Sequence, residues 1–167
     1  HRGVGAGRAK QARIVALVER FSGAVSRRSI ALLGVAYRPD TDDARNSPTF
    51  SLASQLMARG ARVAMHDPHV SAADPHLLRS GLAGHFHRDL ADALATAEVV
   101  VVCVAHQQYL RAGKRWLHHA QRLRTVIDAC NAYRPSEIAS TAVRYSGVGR
   151  GIGEPAGIAR RASPGRA

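Results

Sequence analysis

The twenty residues from Ser29 to Pro48, SIALLGVAYRPDTDDARNSP, constrain the fold more than any other stretch. Ile30, Ala31, Leu32 and Leu33 are consecutively apolar with no helical spacing. Such a run suits a strand covered on both faces, as in a parallel sheet. Gly34 ends it and allows a tight turn. Tyr37 and Arg38 leave the strand together, and Pro39, Asp40, Thr41, Asp42 and Asp43 are turn and loop formers. Asn46 or Ser47 can cap a following helix, with Pro48 at its first position. In open parallel sheets, ligands bind just beyond the carboxyl ends of the strands. An aromatic ring, Arg38, Arg45 and three aspartates there suit an anionic nucleotide.

The rest of the chain alternates in the same way. Ile14, Leu17, Val18 and Phe21 mark an amphipathic helix from Ala9 to Val25. Helices are expected at 48–59, 71–79, 89–95, 107–120 and 136–142, and strands at 62–66, 99–105, 125–128 and 143–145, with Phe86 in another short one. Alternation of this kind predicts a three-layer αβα, Rossmann-like domain with a mostly parallel sheet, preceded by a long amphipathic helix. The expected division is a disordered segment 1–8, a helix within 9–28, a domain over 29–146 and a disordered basic tail over 147–167. GVGAG near the start follows no strand and is not read as a dinucleotide fingerprint.

Charge excludes less than it suggests. The chain has a formal net charge of +12, but residues 30–143 hold twelve basic and ten acidic side chains. The excess lies mostly in the two flanks, which argues against a folded nucleic-acid recognition face. No apolar run is long enough to span a membrane. Two cysteines, Cys103 and Cys130, make neither a disulfide framework nor a zinc site. A reducing cytoplasm is the expected location.

LGVAYRPDTDDARNSP resembles the opening of the C-terminal domain of the UDP-glucose/GDP-mannose dehydrogenases, whose pattern is roughly LG-x-[AS]-[FY]-K-x-[DN]-T-[DG]-D-x-R-x-S-P. ARVAMHDPHV, AEVVVVCVAHQQY and TVIDACN resemble later family segments, in order, so the similarity covers about residues 29–145. The family oxidises a nucleotide sugar to the uronate with NAD. The resemblance implies that Tyr37 and Arg38 contact a UDP-sugar and that Arg45 reaches NAD held by another domain. Arginine in place of the family lysine keeps the charge and can bind a diphosphate bidentately. It also implies that the N-terminal helix joins two domains and builds a dimer interface.

The family's NAD fingerprint, catalytic cysteine and assisting lysine lie upstream of this region, and residues 1–29 cannot hold them. The chain is therefore expected to be a UDP-sugar-binding domain with no catalytic residues of its own, inactive alone, serving polysaccharide precursor synthesis. It would act as a homodimer or with a separate catalytic chain. The main departure is Asp128-Ala129-Cys130-Asn131, where the family has Asp-Gly-Arg-Asn. A neutral thiol cannot replace the arginine, although Arg134 is close in sequence. That departure supports an alternative, a non-catalytic remnant or dimerisation module; a basic nucleic-acid-binding protein is the weaker third reading.

Two further readings concern single residues. Asp67-Pro68 follows the second strand but is read as a turn, because GVAYRP lacks the glycine spacing that admits a pyrophosphate. His106, at the end of the most apolar strand, is read equally as a ligand contact or a structural histidine. None of the histidines adds the partners of a credible metal site.

Overall fold

The computed structural model describes residues 2–140 and 142–148. The basic tail expected from sequence lies outside the described residues from position 149 onward.

Among the described residues, six parallel strands form one sheet: β1 (Ser29–Leu33), β2 (Arg62–His66), β3 (Phe86–His87), β4 (Val99–Val102), β5 (Thr125–Asp128) and β6 (Arg144–Gly147). Their order is β3-β2-β1-β4-β5-β6. The helices are α1 (Arg2–Ser22), α2 (Pro48–Ala58), α3 (Pro75–Ser80), α4 (Leu90–Leu94), α5 (Gln107–Ala112) and α6 (Pro135–Ile138). Alternate residues of the central strands feed two separate cores. Ile30, Leu32, Val99 and Val101 face α1 and α2. Ala31, Leu33, Val100 and Val102 face Leu94 of α4, Tyr109 of α5 and Trp116. Apolar residues at both parities of a strand are what a doubly covered sheet requires.

The order reverses between β1 and β4. The chain moves outward from β1 through β2 to β3, then returns to the other side of β1. That reversal opens a crevice at the carboxyl ends of β1 and β4, the switch point at which open α/β sheets bind ligands.

Boundaries differ from the sequence expectation in three informative places. Helix α1 begins at Arg2, so the stretch 2–8 expected to be disordered is helical. Adding residues to an existing helix needs no new nucleus, which lets it run through Gly3, Gly5 and Gly7. The strand expected over 99–105 stops at Val102, because the N–H groups of Cys103 and Val104 both turn to the carbonyl of Leu33. The helix expected over 107–120 breaks at Gly113 (φ +53°) into a tighter 3-10 segment over Gly113–His119. Trp116 is thereby buried, its ring N–H donating to the Tyr133 hydroxyl at 3.1 Å.

Helix α1 lies on its own sheet. Ile14, Val15 and Val18 are buried. Gln11 ties the helix to the start of α2, donating to the Pro48 carbonyl and accepting from Ser51 and Gln55.

Candidate functional site: the carboxyl edge of the sheet

The loop from Gly34 to Pro48 is held at almost every step. Gly34 has φ +101°, and a Cβ there would sit 2.5 Å from Val104 Cβ. Only glycine lets the β1 and β4 loops approach so closely. The Gly34 carbonyl accepts from the Thr49 hydroxyl at 2.8 Å, and the Val35 carbonyl from the Ser47 hydroxyl. Ser47 also caps α2, accepting from the Thr49 N–H, with Pro48 at the first helical position. Ser47, rather than Asn46, thus fills the capping role. The Tyr37 N–H donates to the Asp43 carbonyl at 2.7 Å, closing a short loop.

Asp67 is the hub beneath this loop. Its Oδ2 accepts from the N–H groups of Val35 and Ala36 at 2.7 and 2.8 Å, and its Oδ1 from those of His69 and Val70 at 2.8 and 3.0 Å. His106 Nε2 stands 2.9 Å from Oδ2. His106 Nδ1 faces the N–H of Asp40 at 2.9 Å. A backbone N–H can only donate, so Nδ1 accepts and Nε2 carries the proton given to Asp67. Asp40 answers by accepting from the Gln107 N–H at 2.8 Å. Burial pushes the Asp67 carboxyl up, but the His106 N–H and the backbone N–H groups outweigh it and hold it well below the ordinary carboxylate range.

Asp67 is therefore more than the turn residue read from sequence: it is buried and joins the loops after β1, β2 and β4. His106, 0% exposed, is a structural clamp rather than a ligand contact. Neighbouring His66 is also buried, paired with the Tyr109 hydroxyl at 2.8 Å. Desolvation lowers its pKa to about 4.

A second buried carboxylate organises the β5 end. Asp128 accepts from the N–H groups of Cys130, Ala132 and Tyr133 and from the Tyr145 hydroxyl. The Cys130 thiol turns inward, 3.6 Å from the Val102 carbonyl and from Asp128 Oδ1. Burial pushes the thiols of Cys103 and Cys130 up to about 12, so neither is a nucleophile at neutral pH.

Upon this scaffold Tyr37 is 55% exposed, and Arg38 and Arg45 are exposed. Arg45 grips Asp43 bidentately, Nε to Oδ1 at 2.9 Å and an NH2 to Oδ2 at 2.7 Å. The Arg45 guanidinium holds the Asp43 carboxyl down at about 2. Asp43 thus orients Arg45. Tyr37 borders a cavity of about 160 Å³ that is also lined by Lys10 and Gln11 of α1 and by Ala36, Cys103 and Ala129; Arg38 follows Tyr37 but does not line it. Whole-ligand pockets run to roughly 300–1,000 Å³, so this cavity is part of a site. Arg134 is exposed at the start of α6, its backbone N–H held by Glu137.

The ligand atoms of Asp40, His69 and His106 lie within 4.8 Å of one another. Both His106 nitrogens are already engaged, so a metal would find only two ligands without breaking the clamp. NAD does not fit here in the dinucleotide-fold manner either. The N–H groups of Val35 and Ala36 that would face a pyrophosphate point at Asp67, and Asp67 has no oxygen left for a ribose.

An all-parallel sheet with its loops knotted at a β1–β4 switch point defines a nucleotide-binding α/β domain. The chain belongs to the UDP-glucose/GDP-mannose dehydrogenase family: residues 31–135 match the model of that family's UDP binding domain. It is 29% identical over 154 residues to UDP-glucose 6-dehydrogenase of Pseudomonas aeruginosa, covering 86% of this chain and 32% of that protein. It is likewise 29% identical over 134 residues to the Rhizobium meliloti UDP-glucose 6-dehydrogenase, covering 80% of this chain and 30% of the relative. Among solved structures, the NDP-N-acetyl-D-galactosaminuronic acid dehydrogenase of Methanosarcina mazei superposes with a TM-score of 0.71 at 27% identity, over 86% of this chain and 29% of that one. The chain thus spans about a third of the length of the curated relatives it matches.

Proposed function

We propose that this chain binds the nucleotide of a UDP-sugar at the carboxyl edge of its sheet, as the C-terminal half of a UDP-sugar 6-dehydrogenase. The observation that carries this reading is the exposed Tyr37, which lines the switch-point cavity and is followed by the exposed Arg38, on a backbone that Asp67, His106 and Asp43 hold in place. Arg38 supplies a bidentate cation for the diphosphate, and Tyr37 a flat apolar face. Arg45, already oriented by Asp43, faces outward to meet NAD on a catalytic domain. NAD would supply hydride acceptance there; this chain's part is to hold and orient the sugar nucleotide. Among the described residues the two thiols do not suit the oxidation, because both are protonated and partly buried. Turnover needs a second domain or chain, and the working context is cytoplasmic synthesis of polysaccharide precursors.

Calorimetric titration with UDP, UDP-glucose and UDP-N-acetylglucosamine tests the reading. The expected result is binding of all three with Kd near or below roughly 1 mM. Arg38→Ala should weaken it about 10- to 100-fold, the value of a charge-assisted hydrogen bond. No binding at millimolar ligand by the folded chain would overturn it. One observation favours a second reading, a non-catalytic dimerisation module: Cys130 replaces the family's arginine and its thiol faces the interior. Concentration-dependent dimers in sedimentation, without nucleotide affinity, would be its signature.

A further inference from the structure

The opposite edge of the sheet carries a second, differently built site. Arg28 precedes β1, Arg62 opens β2, Glu98 precedes β4 and Arg124 precedes β5, so the sheet gathers them at its amino ends. With Arg27 and Arg122 they line one basin of about 620 Å³. Arg144, which opens β6, lines an adjoining hollow with Arg28 and Arg124. Within the basin five guanidinium groups meet a single carboxylate.

That carboxylate is already committed. Glu98 pairs with Arg28 at 3.3 Å, and its other oxygen accepts from the Ser29 N–H at 3.0 Å. The Arg62 guanidinium donates to the Arg27 carbonyl at 3.0 Å. Among the described residues, no carboxylate lies within ion-pair reach of Arg27, Arg62, Arg122 or Arg124. Their backbone is held: the Arg27 N–H donates to the Gly60 carbonyl and the Arg62 N–H to the Arg28 carbonyl, both at 2.8 Å. Four exposed guanidinium groups around one acid leave a local excess of positive charge that favours an anion among them. Guanidinium forks match phosphate geometry. No aromatic side chain lines the basin, so it offers no platform on which a base could stack.

We propose that this amino-edge basin binds a linear chain of phosphate groups through charge and guanidinium geometry alone, without reading bases. The near balance of charge over 30–143 hides Arg62, Arg122 and Arg124 in the sequence, and Arg27 and Arg28 fall within the N-terminal flank. Folding puts Asp67 and Asp128 in buried knots at one edge and leaves arginines exposed at the other. The ligand could be a phosphoanhydride chain or the phosphodiester backbone of a single strand; their shared chemistry is a row of anionic oxygens.

Fluorescence anisotropy of the full chain with labelled long-chain polyphosphate, and separately with labelled oligothymidylate, tests this. At least one probe should bind, with a slope of log affinity on log salt of about −3, since each neutralised phosphate of a single strand contributes roughly −0.7. Binding of polyphosphate alone would assign the phosphoanhydride chain; binding of both, in mutual competition, would assign the phosphate row as such. Arg62→Gln with Arg124→Gln should weaken binding at least tenfold and flatten the slope. Glu98→Gln keeps an acceptor for the Ser29 N–H and removes the only acid, so it should tighten binding two- to threefold, a gain that misfolding cannot imitate. Arg79→Gln, at an exposed arginine of α3 outside the basin, should leave binding of both probes unchanged. The proposal fails if neither probe binds at low salt, or if the double variant binds like the parent. It fails equally if affinity disappears only when Arg150, Arg160, Arg161 and Arg166 are replaced.

Discussion

The two ends of the sheet solve the same electrostatic problem in opposite ways. At the carboxyl end, Asp67 and Asp128 are taken inside and paired. Asp67 serves four backbone N–H groups and one imidazole, and Asp128 serves three N–H groups and a tyrosine hydroxyl. At the amino end, arginines are left outside around one acid. A buried charge is tolerable only when its hydrogen-bonding capacity is filled, so acids placed at strand ends become structural organisers. An exposed charge needs no partner and contributes little to folding, so it remains available for ligands. Substitutions of the buried acids at the carboxyl end should therefore act on stability, and those of the exposed arginines at the amino end on binding.

The largest effect is expected from Asp67→Ala, which orphans three buried N–H groups, the part-buried N–H of His69 and the His106 N–H. A loss of about 3–5 kcal/mol, the usual consequence of breaking a buried charged network, should appear as a lower urea midpoint. An unchanged midpoint would dissolve the contrast between the two edges. Next comes Gly34→Ala, whose Cβ would meet Val104 Cβ at 2.5 Å in a left-handed backbone. Overpacking and strain together should remove about 3 kcal/mol, read as a fall of roughly 6–12 °C in melting temperature for a chain of this size.

The third is a pH effect. His66 is held neutral when folded, its pKa lowered from 6.5 to about 4 by burial. Between those values the unfolded chain binds a proton that the folded chain refuses, so stability is full above pH 6.5 and falls as pH drops toward 4. The shift corresponds to roughly 3 kcal/mol at about 1.4 kcal/mol per pKa unit. Urea titrations at pH 7 and pH 4.5 should show the loss, and His66→Asn should remove most of it. Asp67 contributes to acid lability only at still lower pH, because its folded pKa lies below the ordinary range. The smallest effect belongs to the amino edge. Arg124→Ala should leave the urea midpoint within about 0.5 kcal/mol of the parent, as exposed substitutions do. A larger change would mean that the arginines hold the fold together after all.

Much of the fold was legible because the strands announce themselves. Val99–Val102 and Ile30–Leu33 are apolar at both parities, and Gly34, Gly60 and Gly81 close elements at positive φ. The helix start at Pro48 was equally plain, although the sequence left its cap open between Asn46 and Ser47 and the structure chose Ser47. Tyr37, Arg38 and Arg45 could be named as candidates from their place after a strand and from the family pattern they resemble. The hubs could not. Asp67 and His106 are 39 positions apart, and only the β2-β1-β4 neighbourhood brings their side chains to 2.9 Å. The acid at the end of an apolar strand was a visible signal, at Asp67 and again at Asp128, but a turn explains such an acid just as well. Helix α1 was misjudged at its start because local propensity speaks against Gly3, Gly5 and Gly7, whereas continuation of a docked helix overrides it.

What the sequence by itself determined is the alternation of elements, the doubly covered parallel sheet and the loop that carries Tyr37, Arg38 and Arg45. These follow from local patterns, which apolar spacing and turn chemistry encode within a few residues. What only the tertiary structure decided is which charges are spent and which are free. Asp67 and Asp128 are consumed by backbone N–H groups that strand order brings to them, while Arg27, Arg62, Arg122 and Arg124 collect at the other edge with one shared acid. Charge partnership depends on distance in space, and a parallel sheet sets that distance through strand order rather than position along the chain.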